Sequence, residues 1–142
     1  MAEPVLTVNV VTPDGTVYND QSALVICKTT GGEVGIMPNH IPLLASLAID
    51  EIRVKKGEDQ FDEIAVSGGF CEFSDNTLTV LASAAERKED IDVSRAEQAK
   101  KRAEEAIAAA KQKHDDAAMR RAEVSLRRAI NRLNIKKNFV SN

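Results

Sequence analysis

The residues that most strongly interrupt a helix all lie in one half of this 142-residue chain. All seven glycines and all four prolines fall within residues 1–69. Beyond them the backbone has neither the freedom of glycine nor the missing donor of proline, so nothing stops a helix from running. A chain divided in this way reads as two structures in series, short strands punctuated by turns and then uninterrupted helix.

The first part behaves as β-structure. In "VLTVNV", Leu6, Val8 and Val10 alternate with Thr7 and Asn9, the period of a half-buried strand. "TPDG" (12–15) places Pro and Gly where a type I turn favours them. The apolar stretches "ALVICKTT", "LLASLAI", "EIRVKK", "EIAVSGGF" and "TLTVLASAA" follow. Between them stand Gly31-Gly32, Gly35, Pro38, Pro42, Gly57, Gly68-Gly69 and Asp75-Asn76 as breakers. Short strands at this spacing, with no helical pattern among them, argue for an antiparallel β-sandwich or flattened barrel.

The second part reads as two helices. Ser94 and Glu97 have capping-box spacing, and Asp92 adds negative charge near the positive end of the helix dipole. Ala96, Ala99, Ala103, Ala106 and Ala110 recur at three- and four-residue intervals, as an apolar stripe requires. "KQKHDD" then ends one helix and starts another, in which Met119, Ala122, Leu126, Ala129 and Leu133 repeat the stripe beside Ile130. Two helices of about 20 residues joined by a short tip make an antiparallel hairpin about 30 Å long. The predicted class is therefore two-part α+β: a β-sandwich over 1–86 and a helical hairpin over 87–142. Burial is worth about 0.8 kcal/mol per CH₂-sized group, so an alanine stripe yields far less than a leucine stripe. The hairpin reads either as a movable element or as a permanently docked appendage.

Charge divides along the same seam. Residues 1–90 carry a net charge of −9 and residues 91–142 a net charge of +6. Arg95 and Arg102 project from one face of the first helix, and Arg121, Arg128 and Arg132 from one face of the second. Folding the hairpin brings both sets to one edge. There they either hold an anion, such as a triphosphate or a partner's carboxylates, or form a solvated face paired with Glu97, Glu104, Glu105 and Glu123.

Catalytic groupings are missing. There is no phosphate-binding G-x-x-x-x-G-K-[ST] loop and no G-x-G-x-x-G after a strand. His40 sits in a loop and His114 in the helix tip, too far apart in sequence for a metal-ligand or triad spacing. Cys27 and Cys71, the only cysteines, read as buried free thiols. The chain is expected not to be an enzyme. No apolar run is long enough to span a membrane and the N-terminus lacks a signal-like pattern, so membrane association is expected only through a partner. A basic helical hairpin binding nucleic acid is the alternative. Against it, no aromatic residue lies between positions 74 and 138 to stack on bases.

Three stretches carry a resemblance: "GGEVGIMPNHIPLL" (31–44), "VSGGFCEFSDNTLTVLASAAE" (66–86) and "IDVSRA" (91–96). In this order, ahead of an Ala/Arg-rich hairpin, they resemble the epsilon subunits of bacterial F-type ATP synthases over essentially the whole chain. The third fits that family's I/L-D-x-x-R-A motif for ATP. The resemblance implies a non-catalytic central-stalk subunit of a proton-translocating synthase, needing no cofactor, with ATP as a regulatory ligand. Implied partners are the gamma subunit, the c-subunit ring and the catalytic alpha and beta subunits, with Glu33 and His40 at rotor contacts. It further implies a peripheral location on the cytoplasmic side of the cell membrane. The hairpin would inhibit ATP hydrolysis when extended and be held folded by ATP. The carried-over ATP site comprises Glu86, Ile91, Asp92, Arg95, Ala96, Arg102, Arg128 and Arg132.

Overall fold

Leu6, Val8 and Val10 are fully buried while Thr7 and Asn9 between them are half-buried, and this alternation forms the first strand, β1 (Leu6–Thr12). The structure, a computed structural model, describes residues 3–140, with side-chain surroundings described through Lys137. The turn at 12–15 forms as expected: Thr12 Oγ1 accepts from the Asp14 amide at 3.2 Å and donates to the Gly15 carbonyl at 3.3 Å. It leads into β2 (Gly15–Ser22), a largely polar strand that the apolar pattern did not reveal. β3 (Val25–Thr29), β4 (Gly32–Ile36), β5 (Leu43–Lys55), β6 (Phe61–Ser74), β7 (Thr77–Ala82) and β8 (Ala85–Arg87) follow. The strand order is β2-β1-β7-β6-β5-β3-β4, with β8 on β6. Pairing is antiparallel except for β1 with β7, which is parallel.

Two expectations are corrected. "LLASLAI" and "EIRVKK" are one 13-residue strand, β5, and Gly68-Gly69 does not break a strand but lies inside the 14-residue β6. The reason is a change of face. Ile64 and Val66 point into the core before the glycines, Cys71 and Phe73 after them. Even positions thus give way to odd ones, which a regular strand cannot do. Gly68 at φ 85° and Gly69 at φ 126° make the corner that carries β6 from one layer of the sandwich into the other. Gly69 also leaves no room for a side chain, because an ideal Cβ there would lie 2.1 Å from the Leu81 carbonyl oxygen.

The core of this unit draws on both layers, with Val25, Ile52, Val54, Ile64, Leu78 and Val80 all excluded from solvent. Cys27 and Cys71 are buried free thiols within it. Tyr18 donates to Asp62 Oδ2 at 2.6 Å, and burial is the main force holding its hydroxyl far above the ordinary tyrosine pKa. Arg87 lies over the Tyr18 ring and donates through Nε to the Val17 carbonyl, which fastens β8 to β2.

The chain divides into two units, Met1–Lys88 and Glu89–Asn142. The boundary falls just beyond the expected seam because β8 continues pairing with β6 through Arg87. A 3-10 turn, Lys88–Asp90, leads to α1 (Val93–Gln112), and α2 (Asp116–Val140) completes the second unit. The cap of α1 is Asp92, whose Oδ1 accepts from the Arg95 amide at 3.2 Å, rather than Ser94. Both residues suit the role. Asp92, extended at φ −91° and ψ 109°, is the one that leaves the helix register, and Ser94 lies within the first turn. At the tip, Asp115 N donates to Ala110 O at 3.0 Å and His114 N to Lys111 O at 3.3 Å. These are the two bonds of a Schellman motif, with His114 at φ 53° in the place usually taken by glycine. Asp115 then caps α2 by accepting from the Ala118 amide at 3.1 Å.

Candidate functional site

The helix pair is sealed by alanine. Ala96, Ala103 and Ala110 of α1 and Ala122 and Ala129 of α2 are buried, each series spaced by seven residues. Ala99 is half-buried, but Ala106 is exposed and Ile107 is half-buried in its stead. The stripe therefore follows a strict heptad, as two helices wound gently about each other require.

Four arginines stand immediately before a buried alanine: Arg95, Arg102, Arg121 and Arg128. A residue one step before the contact line is turned about 100° away from it. Because the helices are antiparallel, the two turns bring these positions to the same edge of the pair, and residues one step after an alanine to the opposite edge. The opposite edge is visible directly. Glu97 and Ile130, each following a seam alanine, line one cavity of about 460 Å³ with Val93, Leu133 and Lys137. Glu123 and Glu104 also follow seam alanines, so three of the four carboxylates offered as arginine partners stand across the hairpin from them. Only Glu105 of that group, three residues from Arg102, stays on a neighbouring position.

Axial levels match as well. At about 1.5 Å per residue, Arg102 lies about 15 Å from the tip end of α1 and Arg128 about 18 Å from that of α2. By the same arithmetic, Arg95 and Arg132 lie about 26 Å and about 24 Å from it. By helix rise and period, the edge carries two successive levels of arginine, Arg102 with Arg128 and Arg95 with Arg132. Arg95 and Arg102 are exposed, Arg128 and Arg132 half-buried. Arg128 Nε is buried and, among the described residues, has no hydrogen-bond acceptor.

The remaining residues of the expected site divide by role. Ile91 and Ala96 are buried, 4% and 1% exposed, so they fill space rather than offer polar groups. Asp92 spends one carboxylate oxygen on the cap. Glu86 stands in β8 of the first unit, opposite Ala65.

At the expected partner contacts, Glu33 is exposed on β4, an edge strand of the sheet. His40 ends the Met37–His40 turn, donating its amide to the Met37 carbonyl at 3.2 Å. Its Nδ1 lies 2.7 Å from the Ile41 carbonyl, which fixes that nitrogen as the protonated one, and its ring meets Phe73 edge-on. Nearby strands carry a feature not singled out from the sequence. Phe70, Leu81, Leu44, Ile41 and Met37 are 56, 57, 73, 74 and 57% exposed. Phe70 is directly opposite Leu81, and Leu44 is diagonal to Phe70, so an apolar strip crosses β7, β6 and β5. A strip of this kind marks a surface for a partner. Its signal was legible: Phe70 shares the outward phase of Glu72, and Leu81 that of Thr77 and Thr79.

Two family profiles match the chain. The ATP synthase delta/epsilon chain β-sandwich domain covers residues 5–88, and the long α-helix domain of the same chain covers residues 89–137. The chain belongs to the ATP synthase delta/epsilon family. The epsilon chain of Ligilactobacillus salivarius is 74% identical over 133 residues, spanning 94% of this chain and 96% of that protein. The Pediococcus pentosaceus epsilon chain is 58% identical over 139 residues, spanning 96% and 99%. Within a solved Euglena gracilis mitochondrial ATP synthase, one chain shares the fold at a TM-score of 0.73 and 20% identity, covering 92% of this chain and 81% of that one. As an epsilon-type member, the chain is a non-catalytic, central-stalk subunit of ATP synthase. The nucleic-acid alternative finds no support among these relatives.

Proposed function

We propose that this epsilon-type subunit couples the rotor to the catalytic head and restrains ATP hydrolysis through its helical hairpin, with ATP as the ligand that keeps the hairpin closed. The observation that carries the reading is the placement of Arg95, Arg102 and Arg128 each directly before a seam alanine, with Arg132 one turn beyond Arg128 on the same edge. The guanidiniums form a set only when the two helices are side by side. Once assembled, Arg95, Arg102 and Arg128 put like charges on one edge, which an anion bound there would neutralise. A triphosphate fits this edge better than a single carboxylate, because Arg102 with Arg128 and Arg95 with Arg132 make two successive rungs. The Asp92 carboxylate supplies an acceptor for the polar end of the nucleotide, while Ile91 and Ala96 shape the start of α1.

The energetics suit a switch. A ligand bound only to the closed form stabilises it by about 2.7 kcal/mol at a hundredfold excess over Kd. That is enough to govern a helix pair sealed by methyl groups. When ATP falls, the basic helices are free to meet acidic surfaces of the alpha and beta subunits. The strip Leu44–Phe70–Leu81 supports docking on the gamma subunit, and the loop bearing Met37, His40 and Ile41, with Glu33, supports contact with the c-subunit ring. Among the described residues no helix is long and apolar enough to cross a membrane. Attachment to the cytoplasmic face of the cell membrane would then come through these partners.

The test is titration of the full chain with ATP by calorimetry, with hairpin closure followed by distance probes placed on α1 and α2. Saturable binding accompanied by closure is expected. No binding at about millimolar ATP, a hundredfold above a Kd of about 10 μM, would remove the sensor role.

A further inference from the structure

Glu51 and Glu63 stand diagonally across β5 and β6, since Glu51 is opposite Ala65 and Glu63 opposite Arg53. Both lie on the sheet face away from the core residues Ile52 and Ile64. Their side chains are only 15% and 19% exposed. Lys28 of β3 approaches Glu51 Oε1 and Asp50 Oδ1, each at 3.7 Å. Lys88, itself 13% exposed, meets Glu63 Oε1 at 3.4 Å. Arg53 is stacked on the Phe61 ring, 4.3 Å from its centre. On β8, Glu86 occupies the neighbouring position opposite Ala65.

The two oxygens of Glu51 differ. Oε1 faces Lys28, whereas Oε2 is buried and, among the described residues, receives no hydrogen bond. A bare carboxylate oxygen left this way loses its hydration for nothing, but a protonated one can donate to the neighbouring Glu63 carboxylate. Burial is the main force raising the Glu51 pKa above the ordinary glutamate value. The hydrogen bond that the protonated form can donate to Glu63 and the Glu63 charge raise it further, and Lys28 and Arg53 oppose it.

The geometry points to a proton carried on Glu51 Oε2 and donated to Glu63, which through the Glu63–Lys88 ion pair makes the junction between the two units responsive to pH. With the proton in place, the two side chains carry one negative charge between them. Without it they are two carboxylates on diagonal neighbouring positions of one sheet face, which repel, and the hydrogen bond between them cannot form. Glu63 then moves, and Lys88, the last residue of the first unit, moves with it. The folded chain holds a proton that the unfolded chain releases at the ordinary glutamate value. The stabilisation is therefore complete below that value and is lost as pH rises through the folded value of Glu51.

The test is amide exchange of residues 88–92 in the full chain from about pH 5 to about pH 8, corrected for the intrinsic pH dependence of exchange, alongside NMR titration of the Glu51 carboxyl carbon. In the wild type, protection should fall by up to about tenfold per pH unit across the Glu51 titration. Glu51→Gln, whose amide donates without titrating, should show a flat profile. Lys88→Met should keep the Glu51 titration while uncoupling residues 88–92 from it. The inference is overturned if Glu51 titrates at the ordinary value of about 4.3. It is equally overturned if either variant keeps the wild-type exchange profile.

Discussion

Asp92 Oδ1 accepts the Arg95 amide at 3.2 Å, so the aspartate and arginine of "IDVSRA" are joined through the backbone before any ligand is considered. The bond satisfies one of the free amides of the first turn of α1. Asp92→Ala should loosen that turn by about 1 kcal/mol, read as faster amide exchange over residues 93–96. Asp92→Ser restores the cap without the charge. Full protection with weakened ATP binding would assign the carboxylate a second task; unchanged ATP binding would leave it as a cap alone.

Arg102→Ala and Arg128→Ala should each weaken ATP binding by about ten- to a hundredfold, because a hydrogen bond to a charged group is worth about 1.5–3 kcal/mol. Glu104→Ala, on the opposite edge, should leave affinity within about twofold. Calorimetry on the three variants checks the assignment of edges, and equal losses in all three would contradict it. The melting of the sandwich should be the same throughout.

Gly69→Ala should be severely destabilising, by about 3 kcal/mol or more, through both the positive φ and the collision with Leu81 O. Denaturant unfolding of the full chain is the measurement. A loss under about 1 kcal/mol would mean the corner relaxes.

His114→Gly should strengthen the helix tip by about 1 kcal/mol, because a left-handed conformation carries no penalty for glycine. Exchange of the Ala109 to Asp115 amides reports the gain.

Phe70→Ser should leave the isolated chain as stable as the wild type within about 0.5 kcal/mol, since its ring is 56% exposed. Binding to the gamma subunit should fall by about thirtyfold or more, the effect of losing about 2 kcal/mol at an aromatic anchor. Pull-down with purified gamma subunit distinguishes this outcome from an unaffected complex.

How much of this was readable in advance depends on how far apart the deciding residues lie. The alternation of Leu6, Val8 and Val10 and the alanine stripe are both local; the first appeared as expected, and the second did at Ala96, Ala103, Ala110, Ala122 and Ala129, while Ala99 is half-buried and Ala106 exposed. β2 stayed hidden because only Val17 and Tyr18 of "GTVYNDQS" reach the core, and the rest of the strand is held by backbone pairing to β1. Gly68-Gly69 looked like a break because local pattern cannot distinguish a turn from a corner within one strand; the distinction rests on Leu81, which crowds Gly69 from β7. Ser94 and Asp92 are both good caps, and the choice was made two residues earlier than the capping-box spacing suggested. Arg102 and Arg128 could be placed on one edge from spacing alone, since that argument needs only helix period and direction. The Glu51–Glu63 pair could not, because it depends on the register of β5 against β6 and on Lys88 arriving from beyond β8.

Alanine side chains have no rotamers to freeze and little surface to hide. At Ala96, Ala103, Ala110, Ala122 and Ala129, parting the two helices would therefore add little to the heat capacity, the larger buried side chain of Ile135 being the exception on α2. The balance between closed and parted helices should drift little between a cold and a warm cell, leaving chemical signals rather than temperature to set it.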